Sequence, residues 1–474
     1  MRRRTRLIVT ATALLCVFTI GAGVTVARLL PKRLALWRPA TIAAVPLAGS
    51  SPALSAATGT ISTPPGITMK GLSDALAPAL GSGALGPSVG MLVTNLTTGQ
   101  VLYSQNSSAG FTPASTTKLA TSVAALQVLG ANARFTTTVV TGANAHSIVL
   151  VGGGDPTLAA GRPPARDYPQ PATLLDLARA TAHTLRERGI RSVSLGYDAG
   201  LYAGPRLGPG WDSDDVSTGN VTAITPLEVD QGRLTPSDQP EDADDPGNFR
   251  PRSTDPALEA TQAFASFLRA DGVAVTGAPV QATASRGATA LASVRSPPLS
   301  LIIEWMLEES NNVIAENLAR HIALATGAQP SFSGAAAAEE SVLRRLGVTG
   351  VHLYDGSGLS HHDLITPAAL VQLIGLASTR PALRSVLTGL PVYGFSGTLS
   401  NTDGTFYGAA GPALGTVRAK TGNLETVIAL AGVAYARDGQ LLGFAVMADR
   451  LKSLPAAGQS LAGIANVLAG CGCR

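Results

Sequence analysis

Charge is what this 474-residue sequence has least of: Asp, Glu, Lys and Arg make up 14% of it, and the formal net charge is only +4. With a positive mean hydropathy, that balance is unusual for a cytosolic enzyme. Four of the cations, Arg2, Arg3, Arg4 and Arg6, crowd the N-terminus, aromatics are 4%, and no basic stripe interleaved with aromatics follows. Nucleic acid is therefore not an expected partner. Cysteine is nearly absent: Cys16 lies in an N-terminal apolar run, and Cys471 and Cys473 lie near the end. Cysteines so placed give neither a zinc spacing nor a disulfide framework. An oxidising compartment would allow a Cys471–Cys473 bridge, but the expectation is a frayed tail. No metal and no cofactor is expected, because the adjacent His361 and His362 send their side chains apart and no further ligand stands ready.

What is abundant is glycine, 52 residues, and proline, 31, which implies many turns and some linker. The length allows two or more domains. After the arginine leader, residues 7–27 carry no charge, and Arg28, Lys32 and Arg33 follow. A run of that length can cross a bilayer with its start in the cytoplasm, so 1–27 is expected to be a signal or membrane anchor that puts the rest outside. A cleaved signal peptide is the rival, since Thr25-Val26-Ala27 is a tolerable cleavage site; the run is longer than the ~7–15 residues typical of one, which favours a retained anchor. Residues 28–69, with Pro39, Pro46, Pro52, Pro64 and Pro65, read as a spacer.

Order is expected from Lys70, with a short helix to Leu80. A β-hairpin at 89–103 then turns at Thr97-Thr98-Gly99. From 135 to 298 the texture changes to short β-type runs at 136–140, 147–151, 192–195 and 273–275, with helical patterns at 171–188 and 256–270. This stretch reads as an inserted domain. Its Gly152-Gly153-Gly154-Asp155-Pro156-Thr157 lacks the Lys-Ser/Thr ending of a phosphate loop and is expected to be a structural turn. Asp212, Asp214 and Asp215 match no calcium loop and are expected to be a solvated acidic loop; a further acidic segment lies at 241–245. Beyond it come a helix ending near Glu308-Glu309, a second at 313–325, and a strand at 351–353. An apolar hairpin of strands at 426–435 and 441–447 and a closing helix at 457–468 complete the chain.

Three polar clusters stand out. In Pro113-Ala114-Ser115-Thr116-Thr117-Lys118, a helix would put the Ser115 hydroxyl and the Lys118 amine on one face within contact range. A lysine whose pKa is lowered can take the proton of a serine nucleophile, and a helix N-terminus can stabilise an oxyanion. Ser310 and Asn312 stand at a helix junction and can point into a cleft, although Ser and Asn are also ordinary caps. Lys420, Thr421 and Gly422 end a strand, where a lysine is uncommon unless it faces a site and the glycine lets a ligand lie close. Each motif alone is weak. S-x-x-K, S-x-N and K-T-G in that order are the set of penicillin-binding proteins and class A β-lactamases. About 195 residues separate the first two, too many for a compact β-lactamase, and about 110 the last two.

On these motifs the chain resembles the low-molecular-mass penicillin-binding proteins of the D-alanyl-D-alanine carboxypeptidase/endopeptidase type, which carry an extra domain between the first two motifs. The likeness spans roughly residues 71–470. It extends through Gly153-Gly154-Asp155-Pro156-Thr157-Leu158, Ala315-Glu316-Asn317-Leu318, Asp355-Gly356-Ser357-Gly358-Leu359-Ser360 and Ser396-Gly397-Thr398-Leu399. It implies an α+β fold: a transpeptidase-like domain of antiparallel sheet and flanking helices from 70–134 and 299–474, with a mixed α/β domain inserted at 135–298. It implies peptidoglycan stem peptides as substrate and β-lactam antibiotics as inhibitors. Ser115 would be the nucleophile, Lys118 its base, and the Ser115 and Asn423 amides the oxyanion hole. Ser310 would relay a proton, Asn312 would hold the substrate amide and Lys118, and Lys420 with Thr421 would lower the pKa of Lys118 and draw in the substrate carboxylate. Two departures are Asn423, where many relatives have Ser or Thr, and the lack of an arginine in 399–407. A β-lactamase or esterase on the same scaffold is the rival enzyme, opposed by the missing E-x-x-L-N between Ser310 and Lys420; a catalytically silent peptidoglycan-binding protein is the rival from another class.

Overall fold

The computed structural model describes residues 66–164, 168–234, 250–400 and 410–473. The expected anchor, nearly all of the spacer and the acidic segment 241–245 lie outside them. Thr68 caps the first helix, α1 (Met69–Leu80), by accepting from the Gly71 amide at 3.0 Å, one residue earlier than expected. The predicted hairpin follows as β1 (Ser88–Asn95) and β2 (Val101–Gln105). A 3-10 turn, Ala114–Thr116, then leads into α2 (Thr117–Leu129), whose first ten residues are all buried. A helix buried on every side runs through a core, and α2 does so between helices and sheet, with Lys118, Thr121 and Ser122 among its buried residues.

The chain then builds a separate layer: β3 (Thr136–Thr141), β4 (Ser147–Val151), α3 (Leu174–Glu187), β5 (Ser192–Asp198), α4 (Pro256–Ala270), β6 (Ala274–Gln281) and β7 (Ala290–Arg295). Its sheet runs β6-β5-β4-β3-β7. β4, β5 and β6 are parallel and β3 is antiparallel to both of its neighbours. Parallel neighbours need crossovers, which α3 and α4 supply while burying their apolar faces on the sheet. β7, in which only Leu291 is buried, escaped the sequence reading.

Four helices follow, α5 (Leu299–Glu308), α6 (Asn312–Thr326), α7 (Phe332–Arg345) and, after the two-residue strands β8 (Val351–His352) and β9 (Leu364–Ile365), α8 (Pro367–Thr379). The predicted strand at 351–353 is thus only a short ladder. A five-residue helix α9 (Arg384–Thr388) precedes β10 (Val417–Leu424), β11 (Val427–Tyr435), β12 (Leu441–Asp449) and α10 (Leu454–Gly470). The first sheet runs β10-β11-β12-β1-β2, so the N-terminal hairpin docks on β12 with Met91 opposite Val446, while β10 pairs with β11 and sets Lys420 opposite Ala431. Both layers belong to one compact unit.

Two expectations fail here. The tail is not frayed: Cys471 is buried in the core between α1 and α10, Cys471 and Cys473 form a disulfide, and the Thr68 amide donates to the Cys473 carbonyl at 2.9 Å. Packing against α1 supplies the anchorage that the terminal position hid. The acidic loop at 212–215 is not simply solvated either. Asp215 is buried, accepting from the Asp212 amide and from Asn220 Nδ2, both at 2.9 Å. The 152–157 segment is a structural turn: the Asp155 carboxylate accepts from the amide and the hydroxyl of Thr157.

Candidate active site

Ser115 sits in the 3-10 turn at the start of α2, partly exposed, between two close backbone approaches. Ala114 before it has φ +46, a region that L residues avoid at a cost of about 1–2 kcal/mol. The turn is held against Gly358, where a Cβ would stand 1.9 Å from the Ala114 carbonyl oxygen. On its other side a Cβ at Gly422 would stand 2.7 Å from the Pro113 oxygen and 3.1 Å from the Ser115 amide nitrogen. Only glycine admits both contacts.

One turn on, Lys118 is fully buried. Its Nζ lies 2.8 Å from Ser115 Oγ and donates to Asn312 Oδ1 at 2.6 Å and to the Ser357 carbonyl at 2.8 Å. Burial pulls its ammonium down to about 7, against the opposing pull of the Asp355 and Glu316 carboxylates. Desolvation is the largest cause, where the family resemblance assigned that task to Lys420. An amine so poised is partly neutral near neutral pH and can accept the serine proton.

Ser310 has φ +56 and follows α5; Asn311 caps α6 by accepting from the Ile314 amide at 3.0 Å, leaving Asn312 as its first residue. Lys420 Nζ, on β10, donates to Ser310 Oγ at 2.9 Å and to the Thr421 carbonyl at 2.8 Å. The Thr421 and Thr398 hydroxyls are 2.7 Å apart. Ser115, Ser310, Asn312, Thr421 and Asn423 line a single cleft of ≈ 330 Å³, with Asn423 exposed on its rim. Asp212, Asp215, Asn220 and Arg252 of the second layer complete its wall.

Beneath the cleft, α6 presents Glu316 and Arg320 to a buried polar layer. Glu316 Oε1 accepts from the Gly356 and Ser357 amides at 3.0 and 2.9 Å, holding the residue whose carbonyl accepts from Lys118. Asp355 accepts from the Gly358 and Ser360 amides and from Trp211 Nε1, tying the same loop to the second layer. Burial holds Glu316 and Glu339 above the usual carboxylate range, with Asp355 pushing the same way and Arg320 opposing. Arg320 is itself buried, its guanidinium 3.8 Å over the Phe332 ring.

All eight residues read from the sequence as site residues therefore lie at or beside one cleft. The sequence reading missed Ser357 and Asn220, which act through backbone carbonyls. No residue pattern marks a main-chain acceptor. It missed Asp215 because an acidic triplet in a Gly/Pro-rich stretch has the composition of a solvated loop.

The sequence profile of the D-Ala-D-Ala carboxypeptidase 3 (S13) family matches residues 72–249 and 240–469. Carboxypeptidase DacB of Mycolicibacterium smegmatis is 37% identical, the match covering 86% of this chain and 85% of that protein. The D-alanyl-D-alanine carboxypeptidase of an Actinomadura strain is 30% identical, covering 85% of each. The crystal structure of penicillin binding protein 4 of Haemophilus influenzae shares the fold, with a TM-score of 0.65 and 22% identity over 83% of this chain and 98% of that one. With the profile matching nearly the whole described chain and serine, lysine and asparagine motifs meeting in one cleft, this protein belongs to the D-Ala-D-Ala carboxypeptidase 3 (S13) family.

Proposed function

We propose that the chain is a serine-type D-Ala-D-Ala carboxypeptidase acting on peptidoglycan stem peptides, with Ser115 as nucleophile. Ser115 Oγ bonds to the carbonyl carbon of the penultimate D-alanine while Lys118 Nζ takes its proton. The oxyanion is held by the Ser115 and Asn423 amides. As the bond to the last D-alanine breaks, Ser310 passes a proton to the departing amine. Lys420 and Thr421 receive the substrate's terminal carboxylate, and Asn312 holds the substrate amide and Lys118. Water then hydrolyses the ester, releasing the shortened peptide and restoring Ser115. A β-lactam would acylate the same oxygen and stay. A cross-link whose scissile bond has the same chirality would react in the same way, giving DD-endopeptidase activity.

The observation that carries this reading is the buried Lys118 amine, 2.8 Å from Ser115 Oγ and fixed by Asn312 and the Ser357 carbonyl. Residues 1–27, as anchor or signal, would put this domain outside the cytoplasmic membrane, where its substrate is. Mass spectrometry after incubation with benzylpenicillin tests the proposal: one adduct on the peptide carrying Ser115, lost in Ser115→Ala, is expected. An adduct elsewhere, or D-alanine release surviving in Ser115→Ala, refutes it.

A further inference from the structure

The layer built from 136–295 reaches Asn312, and through it the catalytic base, by a main-chain carbonyl. Asn312 has two jobs for its amide: Oδ1 accepts from Lys118 Nζ at 2.6 Å, and Nδ2 donates to the Asn220 carbonyl at 3.0 Å. The second bond selects the rotamer that gives the first, because a flipped amide would turn an N–H group toward the lysine. The Asn220 carbonyl is itself held. Asp215 accepts the Asn220 side chain through Oδ1 at 2.9 Å, and its backbone carbonyl accepts the Asn220 amide at 2.8 Å. Its Oδ2 accepts the Asp212 amide at 2.9 Å, closing the loop from its other end. Arg252, also buried, donates from Nε to the Gly219 carbonyl at 2.9 Å, bracing the adjoining peptide.

We infer that Asp215 is a positioning residue for catalysis: by shaping the 212–220 loop it aims the Asn220 carbonyl at Asn312, and so sets the contact between Asn312 and Lys118. The layer it belongs to is then part of the catalytic machinery, beyond any service as a substrate wall. A carboxylate is required because two donors approach its two oxygens, and an amide can accept at only one of them. This inference rests on the acyl-enzyme reading above, and the test keeps the two apart.

The test compares wild type, Asp215→Asn and Asn220→Ala, the last keeping the carbonyl but losing the side-chain tie to Asp215. Acylation by benzylpenicillin is followed from pH 5.5 to 9, steady-state D-alanine release is measured alongside, and a thermal melt reports folding. Failure of wild type to acylate at Ser115 would sink the function itself; only a variant-specific change bears on Asp215. The expected result is a fall in the plateau acylation rate of about tenfold to a hundredfold for Asp215→Asn, a smaller fall for Asn220→Ala, and kcat reduced more than KM is raised. The acid limb should also move to lower pH, because Lys118 loses an acceptor that favours its ammonium while Asp355 and Glu316 stay in place. Should Asp215→Asn fail to fold, Asn220→Ala decides alone. The inference is overturned if the folded variants acylate within twofold of wild type with an unchanged pH profile. A rise in KM for peptide with β-lactam acylation untouched overturns it too, since that marks a substrate contact.

Discussion

If Lys118 is the base, acylation of Ser115 must follow its proton. An exposed lysine at the ordinary 10.5 would be neutral in about one molecule in a thousand at pH 7.5, whereas a lysine near 7 is mostly neutral there, so burial raises the competent population by roughly 10³. The second-order rate constant for benzylpenicillin acylation, read by stopped flow or a fluorescent penicillin, should reach half its plateau near pH 7. Below that it should fall about tenfold per pH unit. Glu316 and Asp355 prop the ammonium up, so Glu316→Gln should move the midpoint to lower pH while retaining an oxygen to accept the Gly356 and Ser357 amides. Lys118→Arg keeps a cation but cannot give up its proton near neutrality, and should lose about 10²–10⁴ of the rate. A rate flat from pH 5 to 9, a midpoint near 10, or an arginine variant within tenfold of wild type would each refute the assignment.

Gly358→Ala forces a side chain onto a φ of +84 and into the Ala114 carbonyl; a loss of at least about 1–2 kcal/mol of stability and slower acylation should appear together in a melt and a labelling assay, and unchanged values of both would show that the turn is slack. His321 is buried, stacked on Phe135, with Nε2 2.9 Å from the Gly154 carbonyl, and burial pulls its pKa down to about 4. Because the folded value lies below the ordinary 6.5, its contribution to stability is present above pH 6.5 and lost as pH falls toward 4. Unfolding free energy should therefore drop less steeply between pH 6.5 and 4.5 in His321→Gln than in wild type; equal slopes would show the ring to be charged in the fold. Asp155, held up to about 6 by burial, biases both proteins in the opposite sense and cancels in the comparison.

The sequence by itself determined whatever depends on near neighbours along the chain. Helix 256–270 was legible to the residue, because Pro256 can start a helix and the apolar period runs unbroken to Ala270. The hairpin at 88–105 and the strand pair at 427–449 were legible from turn residues between apolar runs. Ser115 and Lys118, three residues apart, had to share a helical face. Tertiary structure alone decided what depends on groups distant in sequence: that Lys118 is desolvated, that the Ser357 and Asn220 carbonyls converge on Lys118 and Asn312, and that an aspartate in an acidic loop is buried. Desolvation and main-chain acceptance are properties of where atoms end up. A pattern of side-chain types records them only where local geometry leaves the chain no choice.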